Sequence, residues 1–168
     1  MQLRLVAQVL TAVTLVFGFC FATHAEEARV SALTVVDQQY MGQQRDAVNE
    51  LVERNFGGRF NGATEHDLAL LQRLLDRQLV RPDQTQELQA LGIILGDLLA
   101  ADLDMHWVVY EDKVGRSRAL RYKESEEYLF PVTMISRRRE ADNRETVSNI
   151  YQKAYDIIDG RKSPRPFQ

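Results

Sequence analysis

Apolar residues recur at helical spacing through the first two thirds of the chain and then switch to alternation. After Asp37, the positions Tyr40, Met41, Val48, Leu51, Val52 and Phe56 fall on one side of a helix, and Gly57-Gly58 stops it. Gly42 inside this run costs about 1 kcal/mol relative to alanine and weakens the first turn. Beyond the turn Phe60-Asn61-Gly62, the stretch Thr64 to Asp67 approximates a capping box ahead of Leu68, Leu71, Leu74, Leu75 and Leu79, which predicts a second helix. Arg81-Pro82-Asp83 breaks it, because proline cannot continue the ladder, and Asp83 is placed to cap a third helix over 84–103. There Leu88, Leu91, Ile94, Leu95, Leu98, Leu99 and Leu103 make so broad an apolar surface that this helix is expected to be the most buried.

Gly92 and Gly96 stand four apart on that helix, so they share a face where missing side chains permit close approach by a neighbour. Together they cost about 2 kcal/mol in helix propensity. Close packing against the sheet or the first helix is the expected compensation. From Met105 the period becomes two, with Trp107 and Val109 pointing one way and His106, Val108 and Tyr110 the other. Asp112 to Gly115 forms a tight turn, with Gly115 free to adopt positive φ, and Arg118 to Tyr122 returns as a second strand. Setting Val109 opposite Arg118 puts Trp107 against Leu120 and Glu111 against Arg116.

Tyr128 to Ser136 alternates as a third strand, in which Pro131 signals an edge or a bulge, and Arg137-Arg138-Arg139-Glu140 extends it. Asn143 then caps a closing helix whose face is Val147, Ile150, Tyr151, Ala154, Ile157 and Ile158, and which Gly160 ends. The predicted fold class is α+β: N-terminal helices, a three-stranded antiparallel sheet and a C-terminal helix. Residues 26–160 make the single domain and 161–168, with two prolines, a flexible tail.

The amino terminus changes the picture of compartment. Arg4 precedes a nearly unbroken apolar run from Val6 to Phe21, which is short for a membrane span and is followed by small residues up to Ala25. Residues 1–25 are therefore read as a signal peptide, cleaved after Ala22 or Ala25, and the mature protein as periplasmic or secreted. Phe19 is too bulky for a lipoprotein signal around Cys20. Membrane contact is expected only through the signal peptide where it stays uncleaved. Of the 21 basic and 24 acidic residues, cleavage removes only Arg4, leaving 20 against 24 and a formal charge of −4. It also removes the single cysteine, so neither a disulfide framework nor a thiolate metal site is available.

Candidate chemistry is sparse. His66 and His106 are the mature chain's histidines and lack ligand spacing, so no metal and no cofactor are expected. There is no nucleophile elbow and no Ser-x-x-Lys signature, and Ser136 reads as an ordinary serine at a strand end. Acid pairs for hydrolysis could be drawn from Asp97, Glu111, Asp112 or Glu140, with Arg121 or Arg138 as an anion clamp. The arginines carry more weight: Arg116, Arg118 and Arg121 lie on or beside the second predicted strand, and Arg137, Arg138 and Arg139 end the third. On neighbouring strands they would form a basic patch suited to a carboxylate, a phosphate-bearing polymer or an acidic protein surface. Against that, Glu111, Glu124, Glu126, Glu127 and Glu140 offer cross-strand neutralisation. An exported acidic chain is a poor nucleic-acid binder. Packing accounts for Gly92, Gly96, Trp107 and Gly115, which leaves Asp97, Asp112, Arg121 and Arg137 to Arg139 as candidate binding residues.

The succession Leu91-Gly92, Leu95-Gly96-Asp97, Trp107, Tyr110-Glu111-Asp112, Gly115-Arg116, Ala119-Leu120-Arg121, Phe130-Pro131, Ile135-Ser136-Arg137-Arg138 and Glu140 resembles an uncharacterised bacterial domain-of-unknown-function family. The resemblance covers residues 88–151. It implies a helix, antiparallel strands and helix unit, and no chemistry. The sequence thus leads to a small exported non-catalytic binding module whose partner is a protein or an anionic envelope component. An inhibitor or immunity protein against a secreted toxin, or a hydrolase acting on an envelope component, are the alternatives.

Overall fold

The computed structural model of the chain describes residues 28–162. Helix α3 (Thr85–Leu103) is its axis. Leu88, Leu91, Ile93, Leu95, Leu99 and Leu103 on it are fully buried, and the first helix, the second helix, the sheet and the last helix all touch it. A helix apolar on nearly every side must be wrapped by other elements. Around it stand α1 (Val35–Phe56), α2 (Thr64–Asp76) and α5 (Val147–Lys162). An antiparallel sheet closes the remaining side in the order β1 (Arg29–Ala32), β2 (Met105–Asp112), β3 (Gly115–Tyr122) and β4 (Tyr128–Leu129).

The α+β class holds, but the sheet has four strands instead of three. The four-residue β1, mostly exposed, is too short and too weakly patterned to announce itself. The hairpin pairs as its alternation predicts, with Val109 opposite Arg118, Trp107 opposite Leu120 and Glu111 opposite Arg116. Asp112 fixes the turn by accepting from the amides of Val114 at 2.8 Å and Gly115 at 3.1 Å, and Gly115 takes φ 140°, open to glycine.

The expected third strand over Tyr128 to Ser136 is corrected. β4 holds only Tyr128 and Leu129, pairing with Arg121 and Leu120. Continuing the register two residues would set Pro131 opposite Arg118, and proline has no N–H to donate. The chain turns instead into a 3-10 segment (Pro131–Thr133) and then α4 (Ser136–Glu140). The arginine run is therefore helical, and its three side chains radiate instead of alternating across a sheet.

Helix starts also differ from expectation. Asp37 is the third residue of α1, not its cap: Thr34 caps it, and the Asp37 carboxylate accepts from the Thr34 amide at 3.1 Å. Thr64 begins α2 instead of capping it, and Asp67 turns back to accept from the Asn61 and Gly62 amides. Gln84, not Asp83, precedes α3 and accepts from the Arg81 amide, while Asp83 pairs with Arg81. α5 starts at Val147 instead of Asn143 and runs past Gly160 to Lys162, and Ile157 faces outward at 49% exposure.

Both helical glycines meet close neighbours. A Cβ on Gly96 would lie 2.4 Å from the Trp107 ring, so this glycine lets α3 settle on the sheet. On Gly92 it would lie 2.5 Å from the Val132 carbonyl oxygen, so the other neighbour is the 3-10 backbone and not α1.

Candidate functional site

The residues that pattern alone left unexplained separate into those consumed by the fold and those left over. Asp97 belongs to the first group. Its carboxylate takes a two-pronged contact from Arg45, at 2.6 and 2.8 Å, and a bond from the Trp107 indole at 2.9 Å, locking α1, α3 and β2 together. Asp112 spends its Oδ1 on the hairpin turn. Arg121 is folded into the loop before β4, donating to the carbonyls of Ser125 and Glu124 and to the Glu124 and Glu126 carboxylates. Arg138 donates to the Met134 carbonyl at 2.7 Å and to Glu145 at 2.8 Å. Lys153 and Arg138 together hold the Glu145 carboxyl below its usual range.

Arg116 and Arg118 converge on a carboxylate absent from the candidates. Asp37, at 1% exposure, accepts from Arg116 at 2.5 and 3.0 Å and from Arg118 at 3.0 Å, and Arg118 stacks over Tyr40 at 4.3 Å. Arg116 beside it and the Thr34 hydroxyl hold the Asp37 carboxyl far below the ordinary range despite burial, and Asp37 in turn raises Arg116. Nothing local in the sequence joins residue 37 to residues 116 and 118. Sequence reasoning paired Arg116 with Glu111 because they oppose one another in the ladder, but the two-pronged acceptor lies across the fold.

Two arginines of α4 remain. Arg137 is exposed, and its side chain has no hydrogen bond or ion pair among the described residues. It borders a groove of about 550 Å³ along the edge of β3, between Gly115 to Arg118 on one side and Phe130, Val132 and Thr133 on the other. The Tyr110 ring reaches over to meet Phe130 edge-on at 5.4 Å and Tyr128 at 5.0 Å, forming an aromatic rim. The Tyr122 amide bonds to the Glu127 carbonyl on the side away from β2. Period two then turns the amides and carbonyls of Arg116 and Arg118 to that same side. Since β4 stops at Leu129, no strand among the described residues pairs with them there.

Arg139 points elsewhere. It borders a second cleft of about 330 Å³ between the α2–α3 connection and the α4–α5 connection. Its Nε is buried without a partner, and its one bond among the described residues is a long contact of 3.4 Å to the Glu145 carbonyl. Burial pushes its guanidinium below the usual arginine range.

Of the acids considered for hydrolysis, Asp97 is held by Arg45 and Trp107, Asp112 caps the hairpin turn and Glu140 accepts from Thr85. Ser136 is buried in α4. Among the described residues, no three His, Cys, Asp or Glu side chains are grouped to hold a metal ion, and no helix is long and apolar enough to cross a membrane. The signal-peptide reading falls on residues outside those described. The remaining functional features, the open edge of β3 and the rim at Phe130, leave one trace in the sequence, which is Pro131.

The chain is similar to a crystal structure from Bacteroides thetaiotaomicron, with TM-score 0.70 and 21% identity over 77% of this chain and 48% of that one. At that identity the likeness shows the fold alone, and this chain spans about half the length of that relative. No curated protein matches. A family model described as Domain of unknown function (DUF3806) matches residues 67–151. The match begins at Asp67, so most of α2 lies within the family region, which extends further toward the amino terminus than the resemblance from residue 88 implied. Since it covers 85 of the 168 residues, this chain belongs to that family, a domain of unknown function.

Proposed function

We propose that this protein is an exported, non-catalytic binding module, and that its groove receives an extended acidic segment of a protein partner along the open edge of β3. The carrying observation is the main chain of Arg116 and Arg118, unpaired among the described residues, lying beside exposed Phe130 and an Arg137 side chain with no partner among them. An added strand takes its affinity from main-chain hydrogen bonds and its specificity from alternate side chains. Here one face of the incoming strand meets the Tyr110 and Phe130 rim, and an acidic side chain meets Arg137. Charge complementarity favours acid: Arg116 and Arg118 share the single Asp37 carboxylate, and Arg137 together with them outweighs the Asp112 carboxylate that also lines the groove. Export through a signal peptide ending near Ala25 places the module in the periplasm or outside the cell, where N-terminal sequencing of the processed protein checks the cut.

A displayed library of random dodecamers tests the groove. Selected peptides should carry Asp or Glu at one fixed position within an alternating β-branched or aromatic pattern. Arg137→Glu should invert that position to Lys or Arg, and binding should slow hydrogen exchange at the Arg116 and Arg118 amides. Peptides without a fixed acidic position, or a preference unmoved by Arg137→Glu, would overturn the reading.

A further inference from the structure

The second cleft is built differently from the groove, and it lies on the opposite side of the arginine run. One turn of α4 directs successive arginines apart, so Arg137 faces the β3 edge, Arg138 is tied to Glu145, and Arg139 borders the cleft beside α2. A guanidinium has five donors in a rigid fork, and it is buried at a cost unless acceptors meet them. Arg139 has one long bond to a carbonyl and an orphaned buried Nε.

The two acids nearest to hand are otherwise engaged. Asp76 attracts Arg139 electrostatically, but its Oδ1 is held by Gln72 at 2.7 Å. Asp142 pairs at 3.6 Å with Arg144, which borders the same cleft. Leu75, Val80 and Pro82 supply an apolar part of the lining, interspersed with Gln78 and Arg81, and Val80 is at 3% exposure. A cleft of about 330 Å³ falls at the small end of the range for ligand sites.

We infer that this cleft is a binding site for a small organic carboxylate, whose head is taken by the Arg139 and Arg144 guanidiniums and whose apolar body lies against Leu75, Val80 and Pro82. A carboxylate is planar, matches the guanidinium fork and meets the part of the Arg139 fork that borders the cleft, while the buried Nε stays inside. Inorganic phosphate would meet the same cations but leave the apolar lining uncovered.

Arginine side-chain nitrogen–proton NMR on the labelled protein provides the test. Sodium acetate and sodium hexanoate should each move the Arg139 Nε–H resonance saturably, with hexanoate binding at least roughly tenfold tighter because its extra methylenes are buried. Sodium chloride at matched ionic strength should not move it. Arg139→Lys and Arg139→Met, followed through the Arg144 Nε–H resonance at the same cleft, should each weaken acid binding by roughly tenfold or more, and the spectrum itself reports that the variants are folded. Arg137→Ala should leave the response unchanged, so this site and the groove stand or fall separately. No saturable shift with either acid, an equal response to chloride, equal affinity for the two acids, or binding that survives both Arg139 variants would overturn the inference.

Discussion

Asp37 and Arg139 are both charged groups set into the body of the protein, yet one is saturated and the other is not. Around Asp37, two guanidiniums, a hydroxyl and an amide converge on a single carboxylate, tying α1 to β3 across 79 residues of sequence. Around Arg139, the one hydrogen bond among the described residues is a long contact to a carbonyl, beside the electrostatic pull of Asp76. The first charge is a tie between elements. The second is a charge with acceptors still to gain among the described residues, and that difference is the basis for looking to Arg137 and Arg139, and not to the Arg116 and Arg118 side chains, for charge that could meet a ligand.

The comparison predicts unequal costs. Asp37→Ala should destabilise most, by about 2–3 kcal/mol in denaturant unfolding, because it strands two cations at the sheet. The figure sits below that of a fully buried pair, since Arg116 remains 42% exposed and can rehydrate. The same tie sets an acid limb. A carboxyl held below its unfolded value, about 4, contributes stability that is present above that pH and lost as pH falls through the folded value. Thermal melts from pH 5 downward should therefore decline steeply, and Asp37→Asn should be less stable at neutral pH but flatter in acid. An acid limb unchanged by Asp37→Asn would show that another group carries it.

Arg138→Ala should cost less, on the order of 1 kcal/mol for the lost bond to the Met134 carbonyl. Arg139→Met should reverse the sign, gaining up to about 1 kcal/mol by replacing an under-bonded guanidinium with an apolar side chain of similar reach. A clear loss in that variant would mean that the fold depends on Arg139 as it does on Asp37. Arg137→Ala should leave stability within about 0.5 kcal/mol, as expected of an exposed residue without partners, while abolishing selection of acidic peptides.

Legibility followed the range of the forces involved. The hairpin register was readable because a tight turn and period-two burial leave few alternatives, and the β2–β3 pairing is the one that alternation predicts. Tyr128 to Ser136 misled because its alternation continues past Pro131, where the missing N–H ends the ladder and the chain turns helical. α1 begins before Asp37 and not after it, because the reciprocal bonds between Thr34 and Asp37 make Thr34 the cap and put Asp37 in the first turn.

The arginine run shows the same boundary at the candidate site. Its sequence marks it as basic but does not divide it, since neighbours along a strand would share two faces whereas neighbours along a helix point three ways. By itself the sequence determined the α+β class, the buried identity of α3, the need for space at Gly92 and Gly96 and the register of the hairpin. These rest on local propensity and on hydrophobic period. Only the tertiary structure decided which charges are spent: that Asp97 belongs to Arg45 and Trp107, that Arg116 and Arg118 belong to Asp37, and that among the described residues Arg137 has no side-chain partner and Arg139 only one long contact. Ion pairing is settled by distance in space, and residues 45 and 97, or 37 and 116, become neighbours only when the chain has folded.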